Sequence, residues 1–274
     1  MTAIEFGMNA RLWAGMERLV IEEIAFAAGA GFRWLQFNDR ATGLDETAFG
    51  APPTAVADAL AERQISAVLE IMPRVDVTGH TADGRTPLDL LEANLPAITA
   101  LRMSRVHWHV VFAEPRGVEP ARIAGWLVPQ LTAATAHAAR EGFRFAIELN
   151  DALYPALSHP AEFAALLTAV PDLGLVWDLN HTAPAHYDGF LAFAAHMTML
   201  HVSDTRLPLM NEHRPVGQGN VDFASLLRRL IAAGFRGPAI LEIGGLPHSG
   251  GYRQDTDDAL TDSLARLHAL DIEQ

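Results

Sequence analysis

The chain has 274 residues, of which 50% are hydrophobic and none is cysteine, so disulfides, thiolate metal ligands and a cysteine nucleophile are excluded. Asp and Glu number 33 against 20 Lys and Arg, which gives a formal net charge of −13. A surplus of negative charge on this scale disfavours binding to nucleic acid and to anionic membranes.

The N-terminal sequence MTAIEFGMNARLW lacks the basic region and apolar core of a secretory signal. No uncharged apolar run reaches the roughly 18 residues that a membrane-spanning helix requires. We therefore expect a globular, cytoplasmic protein.

Eight brief apolar segments, several of them rich in β-branched or aromatic residues, are typical of strands buried on both faces. They cover residues 4–9, 33–37, 65–71, 105–111, 143–149, 173–179, 198–203 and 238–243. Segments with helical periodicity separate them, and a glycine ends several of these helices just before the next strand, as in AAGAGFRW, AREGFRF and IAAGFRG. This alternation predicts parallel βαβ units.

Two architectures are built from such units, the closed eight-stranded barrel and the open doubly wound sheet. The segment FGMNARLW, around the end of the first predicted strand, contains no glycine-rich phosphate loop, which weakens the nucleotide-binding open sheet. The length is close to the roughly 250 residues of a typical barrel. We predict an α/β fold with a single (β/α)8 TIM-barrel domain over residues 1–274.

Metal-ligand side chains close the last four predicted strands: Glu148, Asp178, His201 and Glu242. The carboxyl ends of barrel strands meet at one mouth, where barrel enzymes carry their active sites. Any one of these residues could instead cap a helix or face solvent, but four on successive strands favour a metal site. Three carboxylates and one imidazole suit one divalent ion, Mn²⁺, Mg²⁺ or Co²⁺, with Zn²⁺ a further candidate.

At these residues the chain resembles the xylose isomerase-like TIM barrels, a family that includes sugar epimerases and hydroxypyruvate isomerase. The motifs IELN, WDLNH, HVSDTRLPLMNEHRPVGQGNVDF and LEIGG are similar to the family signatures of strands five to eight. The resemblance implies one divalent metal held by Glu148, Asp178, His201 and Glu242, and a homodimer or homotetramer. The second strand departs from the pattern, because Gln36 stands where relatives commonly have a glutamate.

A divalent ion on four protein groups can accept a carbonyl and a neighbouring hydroxyl of a substrate, and it stabilises the enediolate that forms when the adjacent carbon loses a proton. We predict a metal-dependent isomerase or epimerase of a small sugar or hydroxy-keto acid, with Glu148 and Glu242 as catalytic acid and base. The family resemblance implies the same roles for both glutamates.

Four further residues are candidates for substrate binding. His181 follows Asp178 by three residues and could hydrogen-bond a substrate hydroxyl, or else support a ligand. Arg214 and Arg206 lie in the predicted loop after the seventh strand, where an arginine could bind a substrate oxygen or remain solvated. His107 and His109 share one side of the fourth strand, and His109 is nearer its carboxyl end, which favours a place in the pocket.

Other residues are interpreted as structural. Glu70 closes the third predicted strand, where it could be a further site acid, but an ion pair with Arg74 is favoured. Phe6, Trp13 and Trp108 are interpreted as core aromatics rather than as a wall over the substrate.

Three alternatives remain open. The same site could expel water from a cyclic polyol ketone, which would make the protein a metal-dependent dehydratase. A metal-dependent endonuclease for abasic sites is less favoured, because the net charge is −13 and the second strand, RWLQFND, has no histidine. A non-catalytic sugar-binding barrel is less favoured because all four ligand-type residues are present.

Overall fold

The computed structural model describes residues 4–12, 18–39, 42–113, 120–151, 154, 156–245 and 247–272. Its strands are β1 (Glu5–Asn9), β2 (Trp34–Asn38), β3 (Ser66–Ile71), β4 (Arg74–Val75), β5 (Arg105–Trp108), β6 (Val111–Phe112), β7 (Arg144–Glu148), β8 (Gly174–Asp178), β9 (Met197–Val202) and β10 (Pro238–Leu241).

Eight of these strands form a closed parallel barrel in the order β1-β2-β3-β5-β7-β8-β9-β10, and β10 pairs with β1. The predicted (β/α)8 barrel is therefore confirmed. The last predicted strand extends to residue 243, whereas β10 ends at Leu241. Glu242 nevertheless continues the pairing, because its backbone N–H donates to the carbonyl oxygen of Val202 at 3.0 Å.

The predicted strand over residues 105–111 is divided in two. β5 ends at Trp108, and the chain then leaves the barrel wall as β6, which pairs with β4 in a separate two-stranded sheet. The backbone N–H of His109 donates to Ile71 O at 3.0 Å, and that of Val111 donates to Pro73 O at 3.0 Å. Pairing between the two neighbouring chains thus continues beyond the carboxyl end of the barrel.

The helices are α1 (Val20–Ala30), α2 (Glu46–Phe49), α3 (Pro53–Glu62), α4 (Pro87–Ala100), α5 (Pro120–Glu141), α6 (Pro160–Ala169), α7 (Tyr187–Leu191), α8 (Phe223–Ala232) and α9 (Asp257–His268), with 3-10 turns at Pro184–His186 and Pro247–Ser249. The glycines predicted to end helices, Gly31, Gly142 and Gly234, have φ angles of 101°, 84° and 96°. Glycine adopts this left-handed backbone without the strain of a Cβ. None of the helices in the described ranges is long and apolar enough to cross a membrane.

An apolar layer fills the barrel interior beneath the mouth. It consists of Trp34, Val68, Ala146, Val176, Met199 and Ile240. The guanidinium carbon of Arg105 lies 4.6 Å from the centroid of the Trp34 ring, and Trp34 Nε1 donates to Glu5 at 2.8 Å. The polar side chains at the mouth consequently rest on apolar packing.

Gly7 on β1 makes room for this layer. A Cβ at that position would lie 2.5 Å from Ile240 Cδ1 and 2.6 Å from Trp34 Cβ. Outside the barrel wall, Phe6 and Trp108 are buried in the core that the helices cover, as predicted for both; Trp13 lies outside the described residues.

Gly7→Ala should destabilise the fold by about 1–3 kcal/mol, because the added methyl group overpacks a filled interior. The matched control is Gly29→Ala, which adds the same methyl group to the exposed last turn of α1, where no neighbouring atom lies within 4 Å of the new Cβ. That change should leave stability unchanged or raise it by up to about 1 kcal/mol. Urea unfolding of both variants measures the difference, and equal midpoints would contradict this account of Gly7.

Candidate active site

The four candidate metal ligands lie together at the mouth of the barrel. Glu148 and Asp178 are the last residues of β7 and β8, His201 lies near the end of β9, and Glu242 directly follows β10. One ligand atom of each lies within 4.8 Å of the others. His201 Nδ1 is central to the group, at 3.0 Å from Glu148 Oε1 and 3.0 Å from Glu242 Oε2.

The donors of this group fit a divalent cation. Glu148, Asp178 and His201 are fully buried, and the Glu242 side chain is 17% exposed. Within the described residues, Glu148 Oε2, Asp178 Oδ2 and Glu242 Oε2 are buried and accept no hydrogen bond of ordinary geometry. Each of the three has a histidine nitrogen at 3.0–3.3 Å, but three buried carboxylates this close together are costly unless further positive charge accompanies them. These residues could therefore hold Mn²⁺, Mg²⁺ or Co²⁺, the ions that mixed oxygen and nitrogen donors favour.

Protonated histidines balance part of this negative charge. Burial opposes a charge on His201, but Glu148 and Glu242 outweigh it and raise the pKa of His201 well above its usual value. Burial likewise opposes a charge on His109, but Glu148 and Glu70 outweigh it and raise the pKa of His109 to about 10. Against the effect of burial, His201 lowers the pKa of Glu242 to about 2. Burial raises the pKa of Asp178, and His181 and His213 offset this only in part.

Two predicted substrate-binding histidines flank the group. His181 Nδ1 lies 3.2 Å from the carbonyl oxygen of Leu149 and donates to it. The other ring nitrogen, Nε2, lies 3.3 Å from Asp178 Oδ2. His109 lies between two acids, with Nδ1 at 3.2 Å from Glu70 Oε1 and 3.8 Å from Glu148 Oε2. The His109 and His181 rings are 5.6 Å apart. Both imidazoles are next to the ligand group, and their contact with substrate stays a prediction.

The two predicted substrate-binding arginines are both engaged with one buried acid. Arg206 Nη2 lies 2.7 Å from Glu212 Oε1, and Arg214 Nη2 lies 3.0 Å from the same oxygen. Glu212 is fully buried, and hydrogen bonds from Arg206 and then from Arg214 lower its pKa despite the opposing effect of burial. Both side chains therefore hold the loop after β9, and substrate binding by either stays a prediction.

The glycine-rich segment of the same loop is folded around Asp204. Its Oδ2 accepts from the backbone N–H groups of Gly217 at 2.8 Å and Gly219 at 2.9 Å. A Cβ on Gly219 would collide with the carbonyl oxygen of Thr205. The backbone donors of this Gly-x-Gly segment thus bind a carboxylate of the protein itself.

The interpretation of Glu70 as an ion-pair partner of Arg74 is wrong. Glu70 is fully buried and points to the barrel centre, where it accepts from Gln36 Nε2 at 3.0 Å and Asn38 Nδ2 at 2.5 Å. Its other oxygen lies 3.2 Å from His109 Nδ1. Along β3 the side chains alternate, and Glu70 shares the inward face with Val68 of the apolar layer. That alternation in SAVLEI was the signal that could have placed Glu70 inside.

Sequence reasoning also missed three polar residues beside the ligands. His213 Nδ1 lies 3.0 Å from the carbonyl oxygen of Glu242, Asn9 Nδ2 donates to Glu242 Oε1 at 3.4 Å, and Gln36 Oε1 lies 3.0 Å from His201 Nε2. Each belongs to a segment far from its partner in the chain, so only the closed barrel reveals the contact. His107 is buried in the same layer, with Nε2 at 3.2 Å from Glu148 Oε2.

A cavity of about 430 Å³ opens beside Glu242, within the usual size range of small-molecule sites. Its lining includes several polar or charged side chains: Asn9, Asn38, His213, Glu242, Tyr252, Arg253 and Asp255. A small polar molecule could therefore enter from solvent and reach the Glu242 carboxylate.

Comparisons with known proteins agree with this fold. The family model described as xylose isomerase-like TIM barrel matches residues 24–267. A search of proteins with curated functions finds no match.

Similar folds occur among solved structures. D-psicose 3-epimerase with D-tagatose, from Clostridium cellulolyticum H10, has a TM-score of 0.75 at 12% identity, over 99% of this chain and 100% of that chain. 3-Keto-D-glucoside 4-epimerase from E. coli has a TM-score of 0.72 at 16% identity, over 97% of this chain and 99% of that one. An AP endonuclease of family 2 from Brucella melitensis has a TM-score of 0.67 at 18% identity, over 94% of this chain and 96% of that chain. At these identities the likeness concerns the fold.

Binding of Mn²⁺ should release at least one proton. Since Glu148 and Glu242 raise the pKa of His201, its Nδ1 keeps a proton at neutral pH that a cation must displace. Affinity should then rise with pH, by about tenfold per pH unit for each proton released. Titration calorimetry in buffers of different ionisation enthalpy counts these protons. His137→Asn on α5 is the control and should leave the count unchanged; pH-independent affinity in the wild type would refute this.

Proposed function

The chain belongs to the xylose isomerase-like TIM barrels, whose family model covers residues 24–267, and we propose that it is a divalent-metal-dependent isomerase or epimerase. Its substrate is a small sugar or hydroxy-keto acid. The observation that carries the proposal is the pair of carboxylates, Glu148 and Glu242, that approach His201 Nδ1 at 3.0 Å each from different strands of the barrel.

Glu148, Asp178, His201 and Glu242 would hold the metal ion, with Mn²⁺, Mg²⁺ or Co²⁺ preferred for this donor set. When bound, the ion supplies Lewis-acid polarisation of a carbonyl group. The protein contributes fixed positions, because each ligand is anchored at the end of a strand or directly after one.

Glu148 and Glu242 would transfer the protons. Glu242 lines the cavity and is partly exposed, so its carboxylate can reach the carbon next to a substrate carbonyl. Glu148 is fully buried on the β7 side of the site. If one glutamate removes the proton and the other returns one to the opposite face, the centre is inverted. If one glutamate returns the proton to the neighbouring carbon, and the hydroxyl proton passes to the former carbonyl oxygen, a ketose becomes an aldose.

The histidines beside the ligands would orient substrate oxygens. His181 Nδ1 is occupied by the Leu149 carbonyl oxygen, so a substrate hydroxyl group would meet the Nε2 side of the ring, next to Asp178 Oδ2 at 3.3 Å. His109 can donate to a developing enediolate oxygen, since Glu70 and Glu148 keep it protonated. Such a donor stabilises negative charge as it forms.

Two of the structural neighbours are sugar epimerases, which supports a sugar or a related keto compound as substrate. The net charge of −13 supports a small molecule rather than nucleic acid, despite the AP endonuclease among the neighbours.

Glu242→Gln should reduce turnover by about 10²–10⁴-fold, because the amide cannot act as base or acid. The assay follows incorporation of deuterium from D₂O into ketoses, with Mn²⁺ at saturation and product analysis by NMR. Glu141→Gln on α5, an exposed acid whose described ion pair is with His137 at 3.9 Å, is the matched control and should retain full activity.

Wild-type activity in Glu242→Gln would remove that residue from the catalytic pair. Exchange followed by loss of water would identify a dehydratase instead. Metal-loaded protein that exchanges no substrate hydrogen across the ketoses and hydroxy-keto acids would refute the proposed reaction.

A further inference from the structure

A line of buried hydrogen bonds crosses the barrel from β3 to His201. Gln36 on β2 is fully buried, and its Nε2 donates to Glu70 Oε2 at 3.0 Å. The other end of the same amide, Oε1, lies 3.0 Å from His201 Nε2. On the far side of that imidazole, Nδ1 faces Glu148 and Glu242. One side chain thus connects an acid outside the ligand group to the imidazole at its centre.

The chemistry of Glu70 fixes the direction of every bond in this line. Its carboxylate is an acceptor, and it is surrounded by nitrogens of Gln36, Asn38 and His109. The amide nitrogen of Gln36 must therefore face Glu70, since the flipped amide would oppose two oxygens. The amide oxygen then faces His201, and an oxygen of this kind only accepts. It follows that His201 Nε2 carries a hydrogen, so Nδ1 is the nitrogen through which a cation can be bound.

We propose that Gln36, oriented by Glu70, is a positioning residue that fixes the tautomer and ring orientation of His201, so that Nδ1 is presented to the metal. The proposal deepens the proposed function and depends on it only for the presence of a divalent ion. Gln36 contacts the imidazole at Nε2, whereas the carboxylates of Glu148 and Glu242 face Nδ1.

Burial supports this role over simple packing. An amide in the barrel interior costs free energy unless both of its ends find partners, and a Val or Leu would fill an apolar position at no such cost. Here both ends are paired with functional or charged groups across separations of 34 and 165 residues in the chain. Hydrogen bonds to the second nitrogen of a metal-bound histidine are known to orient the ring and to strengthen binding.

The first test is Gln36→Met, which keeps the length and volume of the side chain but removes the acceptor. Mn²⁺ affinity, measured by electron paramagnetic resonance of free Mn²⁺, should fall about 10–100-fold, in line with the loss of a partner behind a ligand. The control is Asn94→Leu, a shape-conserving change at another fully buried amide whose partners are the backbones of Leu44 and Leu90. It should lower the thermal midpoint and leave Mn²⁺ affinity within about twofold.

A reciprocal exchange separates bond direction from packing. In the double variant Gln36→Glu with Glu70→Gln, position 36 accepts from His201 and position 70 donates to position 36, so acceptors and donors match again. Asn38 is only partly buried and can turn its amide to suit. The double variant should recover affinity to within about fivefold of wild type, whereas Gln36→Glu alone places two carboxylates together and should not.

A spectroscopic measurement reads the tautomer directly. In Zn²⁺-loaded protein, a ¹H–¹⁵N long-range correlation should show His201 with hydrogen on Nε2 and metal on Nδ1, the signal being assigned by its loss in His201→Asn. Coordination through Nε2, or unchanged Mn²⁺ affinity in Gln36→Met, would overturn the inference while the proposed function stands. Absence of divalent-ion binding by the wild type would instead overturn the proposed function.

Discussion

The structure depends on the burial of three carboxylates around one imidazole at the centre of the barrel mouth. Like charges repel strongly where water is excluded, and Glu148 and Asp178 are fully buried. Strand ends hold these groups together against that repulsion, because the parallel barrel leaves each side chain one inward direction. Positive charge on His201 and His109, whose pKa values these carboxylates raise, offsets part of that repulsion.

The apolar layer beneath the site determines how the polar groups satisfy one another. Trp34, Val68 and Ile240 close the barrel interior below, so buried donors and acceptors at the mouth must pair within one layer. Glu70, Gln36 and His201 form such a pairing across the barrel. Each atom in the line acts either as a donor or as an acceptor. An acid on β3 therefore determines which nitrogen of an imidazole on β9 is free to bind a cation.

Two buried acids organise the loop after β9. Asp204 accepts hydrogen bonds from the backbone N–H groups of Gly217 and Gly219. Glu212 forms ion pairs with Arg206 and Arg214. The two arginines that the sequence offered as substrate-binding candidates therefore have a partner inside the protein. The cavity opens instead beside Glu242, along β1, β2 and the segment that follows β10.

The sequence alone determined the barrel and the convergence of Glu148, Asp178, His201 and Glu242, because both follow from local periodicity and from the rule that parallel strands end at a common face. Alternation along β3 is enough to place Glu70 on the inward face, but its partners Gln36, Asn38 and His109 lie on other strands or beyond them and are not visible in the sequence. The contacts of Gln36, Asn9 and His213 likewise depend on which strands meet when the barrel closes. Only the tertiary structure decided these, because a buried polar side chain is defined by partners that the folded barrel brings from distant segments.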